Sequence, residues 1–260
     1  MIISCQKEVT RRLLIFVEMA LIGILAAKTE LFAAYPDGTV LLQRVDQNSV
    51  AKTQVVEIKM IIHGRRSDRT LKSRSFIEGQ ERAFSEYTFP PREQGTKMLK
   101  LGDQLWTFDP RTDRTIQISG HLLRQSVMGS DLSYEDMMED ERLSDNYSAT
   151  VAGSDTVEGR ECWILELEGK HTDLAYPKSK IWVDKERYVA LKGERFAKSG
   201  KLLKSMTAKR IDRLDGRWVA TWILYKDELK TGGGTEFIIE SAKYDIDIPE
   251  QVFSKASLRR

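Results

Sequence analysis

The stretch from Tyr87 to Asp140 decides the fold class: it reads YTFPPREQGTKMLKLGDQLWTFDPRTDRTIQISGHLLRQSVMGSDLSYEDMMED. Its first half alternates apolar and polar residues between tight turns, which is the two-residue period of β-strands. From Ser119 onward the period changes and apolar residues cluster. The clustered residues are Leu122, Leu123, Val127, Met128, Met137 and Met138. The stretch therefore predicts a sheet protein whose strands are interrupted once.

Period-two alternation continues through most of the chain on both sides of this stretch. In one predicted strand, Val56 and Met60 share one face and Glu57 and Lys59 share the other, as in a sheet that is wet on one side. Glycine-containing pairs fall between the strands as hairpin turns, because glycine tolerates positive φ. The pairs are Gly102-Asp103, Glu158-Gly159, Ser199-Gly200 and Asp215-Gly216. No segment is suited to a long helical crossover, so we predict an antiparallel meander and exclude a doubly wound nucleotide-binding sheet.

Three segments break the strand pattern and predict short helices. Thr39 to Asn48 has apolar residues at helical spacing and suits a helix laid against the sheet. Gly120 to Met138 should contain one or two short helices, with Ser133 capping a helix over 134–139. Pro249 to Phe253 predicts a last helical turn. The fold class is thus mainly β, with a few short helices.

The amino terminus has the order of a secretory signal peptide. Basic residues precede an apolar run from Leu13 to Ala27, and small residues follow as far as Ala34. We therefore predict a signal peptide at 1–34 and a single domain at 35–260. The alternative is an uncleaved signal anchor. It is less favoured because the run is shorter than the roughly twenty apolar residues of a bilayer span and contains Glu18.

Charge and cysteine content exclude several classes of protein. The chain has 41 Lys and Arg against 39 Asp and Glu, a balance without the electrostatic footprint of a nucleic-acid binder. Cys162 would be the only cysteine after signal removal, which leaves no intramolecular disulfide. Its place in a predicted strand favours a buried structural thiol over a reactive one.

Catalytic and metal-binding patterns are missing from the sequence. His63, His121 and His171 are isolated, without the paired spacing of a zinc site. The acidic run at 131–141 lacks the spacing of a calcium loop and is better explained as a solvated helix face. Gly232 to Gly234 is not followed by the Lys-Ser or Lys-Thr of a phosphate loop. The sequence therefore predicts no cofactor, no metal and no enzymatic activity.

Three motifs within the opening stretch resemble the LolA-like family of outer-membrane lipoprotein-sorting proteins. They are P-P-R-x-x-G-T-K-M-L-K, D-P-R-T-D-R and R-Q-S-x-M-G-S-D-L-S-Y-E-D, and I-W-V-D-K-E-R-Y at Ile181 to Tyr188 is a weaker match. The resemblance implies a strongly curved antiparallel sheet forming an unclosed β-barrel, covered by short lid helices. It further implies a carrier in the periplasm of a Gram-negative bacterium. Its implied partners are lipid or lipoprotein acyl chains, an inner-membrane exporter and an outer-membrane acceptor, with only transient membrane contact.

An unclosed barrel of this kind needs its apolar concave face covered by helices or by an amphipathic ligand. Each methylene that leaves water contributes about 0.8 kcal/mol, so an acyl chain suits such a cavity. We predict that one set of apolar residues lines it, although each of them could instead be core. The set is Trp106, Phe108, Leu122, Leu123, Val127, Met128 and Met138. Trp182, Trp218 and Trp222 are interpreted as core, with a smaller chance of lining the same cavity.

The polar residues of the distinctive stretch leave two interpretations open. Arg124, Asp131 and Asp136 either fasten the covering helices to the sheet by charge-assisted hydrogen bonds or lie solvated at the surface. The motion of a lid, implied by the family resemblance, favours the first.

The function predicted from the sequence is a periplasmic carrier for outer-membrane lipoprotein sorting or lipid transport. The alternative is an envelope sensor or accessory module that binds a lipid or protein partner without carrying cargo. An enzyme is the third class, and the sequence offers no residues for it.

Overall fold

A single antiparallel sheet of thirteen strands forms most of the molecule. The computed structural model describes residues 35–139 and 142–259, and the chain from Pro36 onward is one compact unit. The predicted signal peptide at 1–34 lies outside the described residues. The strands are β1 Thr53–Ile62, β2 Arg69–Glu78, β3 Arg82–Phe89, β4 Lys97–Leu101, β5 Gln104–Asp109, β6 Arg114–Ile118, β7 Tyr147–Val157, β8 Arg160–Gly169, β9 Lys178–Asp184, β10 Ala190–Phe196, β11 Leu202–Leu214, β12 Arg217–Asp227 and β13 Thr235–Tyr244.

The strand order shows how the chain folds back on itself. It runs β6-β5-β4-β3-β2-β1-β13-β12-β11-β10-β9-β8-β7, so strands that are neighbours in sequence are neighbours in space, except for β6 and β7. The pairing of β1 with β13 joins the two halves of the chain. Strands β6 and β7 are the two edges, and in the described residues they do not pair with each other. The predicted antiparallel meander and unclosed sheet are therefore confirmed.

The sheet is bent by irregularities in its register. The β1–β13 pairing shifts between Glu57 and Ile58, and the β11–β12 pairing shifts on both sides of Arg210. Such bulges increase the local right-handed twist and curve a sheet. At the Glu158-Gly159 turn both residues have positive φ, as a two-residue hairpin requires.

Helix α1, Gly38–Ser49, covers the β7 end of the sheet, where the sequence predicts a helix over 39–48. It begins at Asp37, whose Oδ1 accepts hydrogen bonds from the backbone N–H groups of Thr39 (2.7 Å) and Val40 (3.2 Å). Its apolar side packs on strands β7 to β9. The buried residues of this cluster are Leu41, Leu42, Val45, Tyr147, Leu165, Leu167, Ile181 and Val183.

Residues 119–146, here called the covering segment, interrupt the sheet between β6 and β7. They contain the 3-10 turns Gly120–Arg124 and Val127–Gly129, helix α2 Tyr134–Met138 and helix α3 Leu143–Asn146; Asp140 and Glu141 lie outside the described residues. Ser133 caps α2 as predicted. Its Oγ accepts from the N–H of Asp136 (3.1 Å), and the Asp136 carboxylate accepts from the N–H of Ser133 (2.7 Å).

The two faces of the sheet bury different parts of the chain. The inner face is the one that α1 and the covering segment cover. On the outer face, the 3-10 turns Glu250–Phe253 and Lys255–Arg259 pack on an apolar cluster. Its buried members are Phe84, Leu99, Trp106, Phe108, Phe253 and Leu258. The first of these turns agrees with the helical turn predicted at Pro249 to Phe253.

No helix within residues 35–139 and 142–259 is both long enough and apolar enough to cross a bilayer.

Candidate functional site

A cavity of about 410 Å³ lies on the inner face between the sheet and the helices that cover it. Asn48 and Ser49 of α1, Asp136 of α2 and Leu143 of α3 contribute to one side. The sheet contributes an apolar wall from β1 and from β10 to β13. The apolar sheet residues are Val56, Ala190, Met206, Trp218, Val219, Ala220, Ile223 and Ile239.

The cavity spans five strands of the sheet, from β1 to β10. On β10 it extends from Ala190 to Arg195, and on β12 from Trp218 to Ile223. Five residues of strand correspond to about 17 Å. A wall with this lining fits an apolar group better than a polar one.

The Arg195 end of the cavity is charged. Arg195 Nη1 lies 2.5 Å from Glu139 Oε2 and 3.5 Å from Asp136 Oδ1. Burial opposes the positive charge of Arg195, but the Glu139 and Asp136 carboxylates outweigh it and raise the pKa of Arg195. Burial also raises the pKa of Glu139, which the charge of Arg195 offsets only in part. Within the described residues, Glu139 Oε1 is buried without a hydrogen-bond partner.

Asp136 links the covering segment to strands β11 and β12 and to the loop after β8. Its side chain is 1% exposed, and its Oδ1 accepts from the hydroxyls of Tyr176 (2.6 Å) and Tyr225 (3.3 Å). Lys204 Nζ lies 3.5 Å from Oδ2. Burial alone would raise the pKa of Asp136, but the hydrogen bonds from Tyr176 and Ser133 and the charge of Lys204 outweigh it and lower that pKa.

Asp131 makes a second set of buried contacts with the sheet. Its Oδ2 accepts from Thr235 Oγ1 (2.6 Å), and its Oδ1 accepts from the backbone N–H of Asp227 (3.1 Å). Its carbonyl oxygen accepts from Lys204 Nζ (2.7 Å), which also lies 3.1 Å from Asp227 Oδ2. Strands β11, β12 and β13 therefore all hold the covering segment at this residue.

Arg124 is placed differently from these two carboxylates. It lies on the wall of a cleft of about 490 Å³ that also includes Glu135 and Asp227. In the part of the chain that the structure describes, it forms no ion pair. Asp131 and Asp136 are buried and bonded to the sheet, whereas Arg124 makes no such buried contact.

Comparison with known proteins identifies related families and structures. A family model with the description "-like: Uncharacterized protein" matches residues 79–260, most of the chain. A DUF1329 family protein from Desulfovibrio piger superposes with a TM-score of 0.77 at 24% identity, over 85% of this chain and 97% of that one. The LolA superfamily protein of Nitrosomonas europaea superposes with a TM-score of 0.70 at 22% identity, over 86% and 100%. The chain belongs to the LolA-like family. The resemblance read from the sequence motifs is thereby confirmed.

A further solved structure shares the LolA-like fold. It is a domain from Vibrio parahaemolyticus to which outer-membrane lipoprotein sorting has been ascribed, with a TM-score of 0.73 at 22% identity over 86% of this chain and 98% of that one. No curated relative matches the sequence significantly. At these identities the solved structures establish the fold alone.

In this LolA-like chain, the predicted acyl-chain residues lie on two different faces of the sheet. Leu122, Leu123, Val127, Met128 and Met138 pack on the inner face with buried residues of β1 to β6 such as Met60, Leu71 and Leu105. Trp106 and Phe108 are on the outer face, against Phe253 and Leu258. The separation follows from strand geometry: Trp106 is adjacent to Leu105 on β5, and successive side chains point to opposite faces.

None of those seven residues lines the 410 Å³ cavity of the LolA-like sheet, although Met128 borders an open cleft of about 750 Å³ beside β2 and β3. Sequence reasoning missed the wall residues on β10 to β13. Of the three tryptophans considered, Trp218 lines the cavity. Trp182 donates to Asp155 Oδ2 (3.0 Å), and Trp222 donates to Glu236 Oε2 (2.9 Å). The apolar alternation of β12 was the available signal, but it does not separate cavity from core.

Cys162 and one of the histidines are held in the interior or by ion pairs within the described residues. Cys162 is fully buried, as predicted, and burial raises the pKa of its thiol to about 11. His63 Nε2 lies 2.9 Å from Glu236 Oε1, and its Nδ1 lies 3.0 Å from Asp68 Oδ2. These bonds outweigh partial burial and raise the pKa of His63, with the Glu236 bond the largest cause.

Proposed function

We propose that the protein binds acyl chains of a lipid or lipoprotein in the 410 Å³ cavity and carries them through the periplasm. The apolar wall on β10 to β13 is the observation that supports this proposal. A second supporting observation is the covering by α1 and the covering segment, which would exclude water from a bound chain.

The free energy of burying apolar groups favours an apolar ligand in this cavity. Each methylene buried contributes about 0.8 kcal/mol, so six methylenes would contribute about 5 kcal/mol before the costs of association. The charged groups at the Arg195 end of the cavity already pair with one another, as Arg195 does with Glu139 and Asp136. They are therefore better suited to closing the cavity than to catalysis, and we propose a carrier without enzymatic activity.

Entry of a chain would require the covering segment to move. We propose that Asp131 and Asp136 fasten this segment in the closed state, and that Leu122, Leu123, Val127, Met128 and Met138 contact the ligand when it lifts. The proposed carrier would receive cargo beside an inner-membrane exporter and deliver it to an outer-membrane acceptor.

Native mass spectrometry of the protein expressed in a bacterial periplasm tests this function, with organic extraction of any bound molecule. The key variant is Ala220→Phe, which places a ring in the cavity wall where the native side chain is 9% exposed. We expect a stoichiometric lipid or acylated peptide on the native protein. We also expect at least ten-fold weaker binding of an added fluorescent fatty acid by the variant.

The matched control is Ala152→Phe, the same substitution on the exposed side of edge strand β7. It should bind like the native protein. A native protein that is empty and refuses both phospholipid and lipopeptide would contradict the carrier and favour the sensor or accessory module. Chemical turnover of the bound molecule would favour an enzyme instead.

A further inference from the structure

The antiparallel order places six connecting loops at one end of the sheet. Strands β1, β3, β5, β8, β10 and β12 all run toward this end, so the loops that follow them form one rim. The loops are residues 63–68, 90–96, 110–113, 170–177, 197–201 and 228–234. Together they carry eight Lys and Arg residues and five Asp and Glu residues. We call this end the basic rim.

The turns at the opposite end have the reverse charge. They are residues 79–81, 102–103, 158–159, 185–189 and 215–216, with 245–249 after β13. They carry two Lys and Arg residues against seven Asp and Glu residues. These connecting loops are therefore electrostatically polarised along the strands, with a surplus of three positive charges at the basic rim and five negative charges opposite. Such a charge distribution orients a protein as it approaches a charged surface.

Arginines at the centre of the basic rim are not neutralised by nearby carboxylates. Arg65 and Arg66 lie in the loop after β1, and Arg69 lies beside them at the start of β2. All three are exposed, and within the described residues none of them forms an ion pair. Arg65 Nη2 donates a hydrogen bond to Thr231 Oγ1 (2.5 Å), which joins the loop after β1 to the loop after β12. Thr231 is neutral, so this bond leaves the charge of Arg65 uncompensated. These charges remain available to an external anion.

Two large apolar side chains project from the same rim. Phe89 is 44% exposed at the end of β3, and Leu229 is 57% exposed in the loop after β12. Phe89 also borders the 750 Å³ cleft, which has Arg69 and Arg92 on its wall. Arginines beside exposed apolar groups match the boundary of a bilayer, where anionic headgroups meet hydrocarbon.

We propose that the basic rim docks on an anionic phospholipid surface, with Arg65, Arg66 and Arg69 on the headgroups and Phe89 and Leu229 entering the headgroup layer. A lipid surface fits better than an acidic protein because the apolar tips are isolated. Four strand spacings separate β3 from β12 in the sheet, about 19 Å. A protein interface needs a contiguous apolar core, whereas a lipid surface accepts separate tips among basic residues.

Vesicle co-sedimentation of the purified protein tests the docking directly. We expect binding to phosphatidylcholine vesicles that contain 30% phosphatidylglycerol and weak binding to phosphatidylcholine alone. One basic residue near such a surface changes partitioning about five-fold. The double variant Arg65→Gln with Arg66→Gln should therefore bind about 25-fold more weakly, and 0.5 M salt should abolish most of the native binding.

The matched control removes the same charge from elsewhere on the sheet. Lys209→Gln with Arg213→Gln changes two basic residues on β11 toward the acidic end and should bind like the native protein. Leu229→Ser should weaken binding to anionic vesicles while leaving its salt dependence unchanged.

Three outcomes would overturn the proposal: equal binding to neutral and anionic vesicles, equal loss in both double variants, or binding of a soluble acidic protein in place of vesicles. The docking does not depend on the cavity. The cavity-filled variant Ala220→Phe should therefore dock normally, which separates a failure of this proposal from a failure of the proposed carrier function.

Discussion

Asp136 is a central polar residue of the covering segment on the inner face of the sheet. It completes the capping box of α2, accepts hydrogen bonds from Tyr176 and Tyr225, and lies near both Arg195 and Lys204. The sequence marks it as a polar residue of the 87–140 stretch, within the helix that Ser133 was predicted to cap. Its partners on β10, β11 and β12 have no such signal, so only the structure identifies them.

Asp136→Asn should lower the free energy of unfolding by about 2–4 kcal/mol at pH 7, because it leaves the buried Lys204 and the partly buried Arg195 with one carboxylate fewer. The folded-state pKa of Asp136 is lowered, so its contribution is present above the usual carboxyl pKa of about 3.9 and is lost as pH falls through the folded value. The difference between native protein and variant should therefore shrink below pH 4. Urea unfolding from pH 7 to pH 3 measures it.

The exposed carboxylate of Asp173 provides the control for this measurement. Asp173→Asn should change the free energy of unfolding by less than about 0.5 kcal/mol at every pH. A similar loss in both variants would contradict the role assigned to Asp136.

Helix α1 depends on one close approach to the sheet. A Cβ atom on Gly38 would lie 2.5 Å from the backbone oxygen of Ala149 on β7, so only glycine lets the helix begin there. Further along, Asp46 accepts from the backbone N–H groups of Leu143 (3.0 Å) and Ser144 (2.9 Å). The Asp46 carboxylate of α1 thus caps the start of α3. Because this cap comes from a residue far away in the sequence, the local pattern around 143–146 did not predict that short helix.

Gly38→Ala should destabilise the protein by about 1–3 kcal/mol, because the backbone of β7 cannot move away from the added methyl group without disturbing the sheet. Thermal unfolding measures the effect. Val40→Ala on the same helix is the control, since Val40 is 48% exposed, and it should be close to neutral. Equal melting temperatures for native protein and Gly38→Ala would show that α1 shifts without cost.

At the scale of the whole molecule, polar contacts and apolar contacts hold the covering segment in different places. Its apolar side chains pack on β1 to β6, whereas Asp131 and Asp136 bond to β11, β12 and β13 on the other side of β1. Because β6 and β7 remain separate edges in the described sheet, this segment spans between the two halves. Its detachment on one side would open the cavity without unfolding the strands.

Asp131→Ala should loosen the covering segment selectively. The variant loses two buried hydrogen bonds and leaves Thr235 without its carboxylate partner, which should cost about 2 kcal/mol. Amide hydrogen exchange in residues 126–138 should then be about 30-fold faster, with little change in β2 to β4. Asp173→Ala should leave the exchange pattern unchanged. A uniform acceleration across the sheet would show global destabilisation instead of local opening.

The sequence by itself determined the sheet, the turns and the family. Period-two alternation and glycine turns are local properties of the backbone, so the antiparallel strands and their hairpin turns were predicted, and the cap at Ser133 was predicted for the same reason. The motifs of the 87–140 stretch lie close together in the chain, and they were sufficient to indicate the LolA-like family.

Tertiary structure alone decided which residues line the cavity and which only pack. Trp106 and Leu105 are equally apolar and adjacent in sequence, yet they lie on opposite faces, each covered by a different remote segment. Arg195, Lys204 and Thr235 are separated from Asp131 and Asp136 by more than fifty residues and meet them only after the sheet has curved. Contacts between distant residues depend on how strands curve and pair, which a local pattern does not encode.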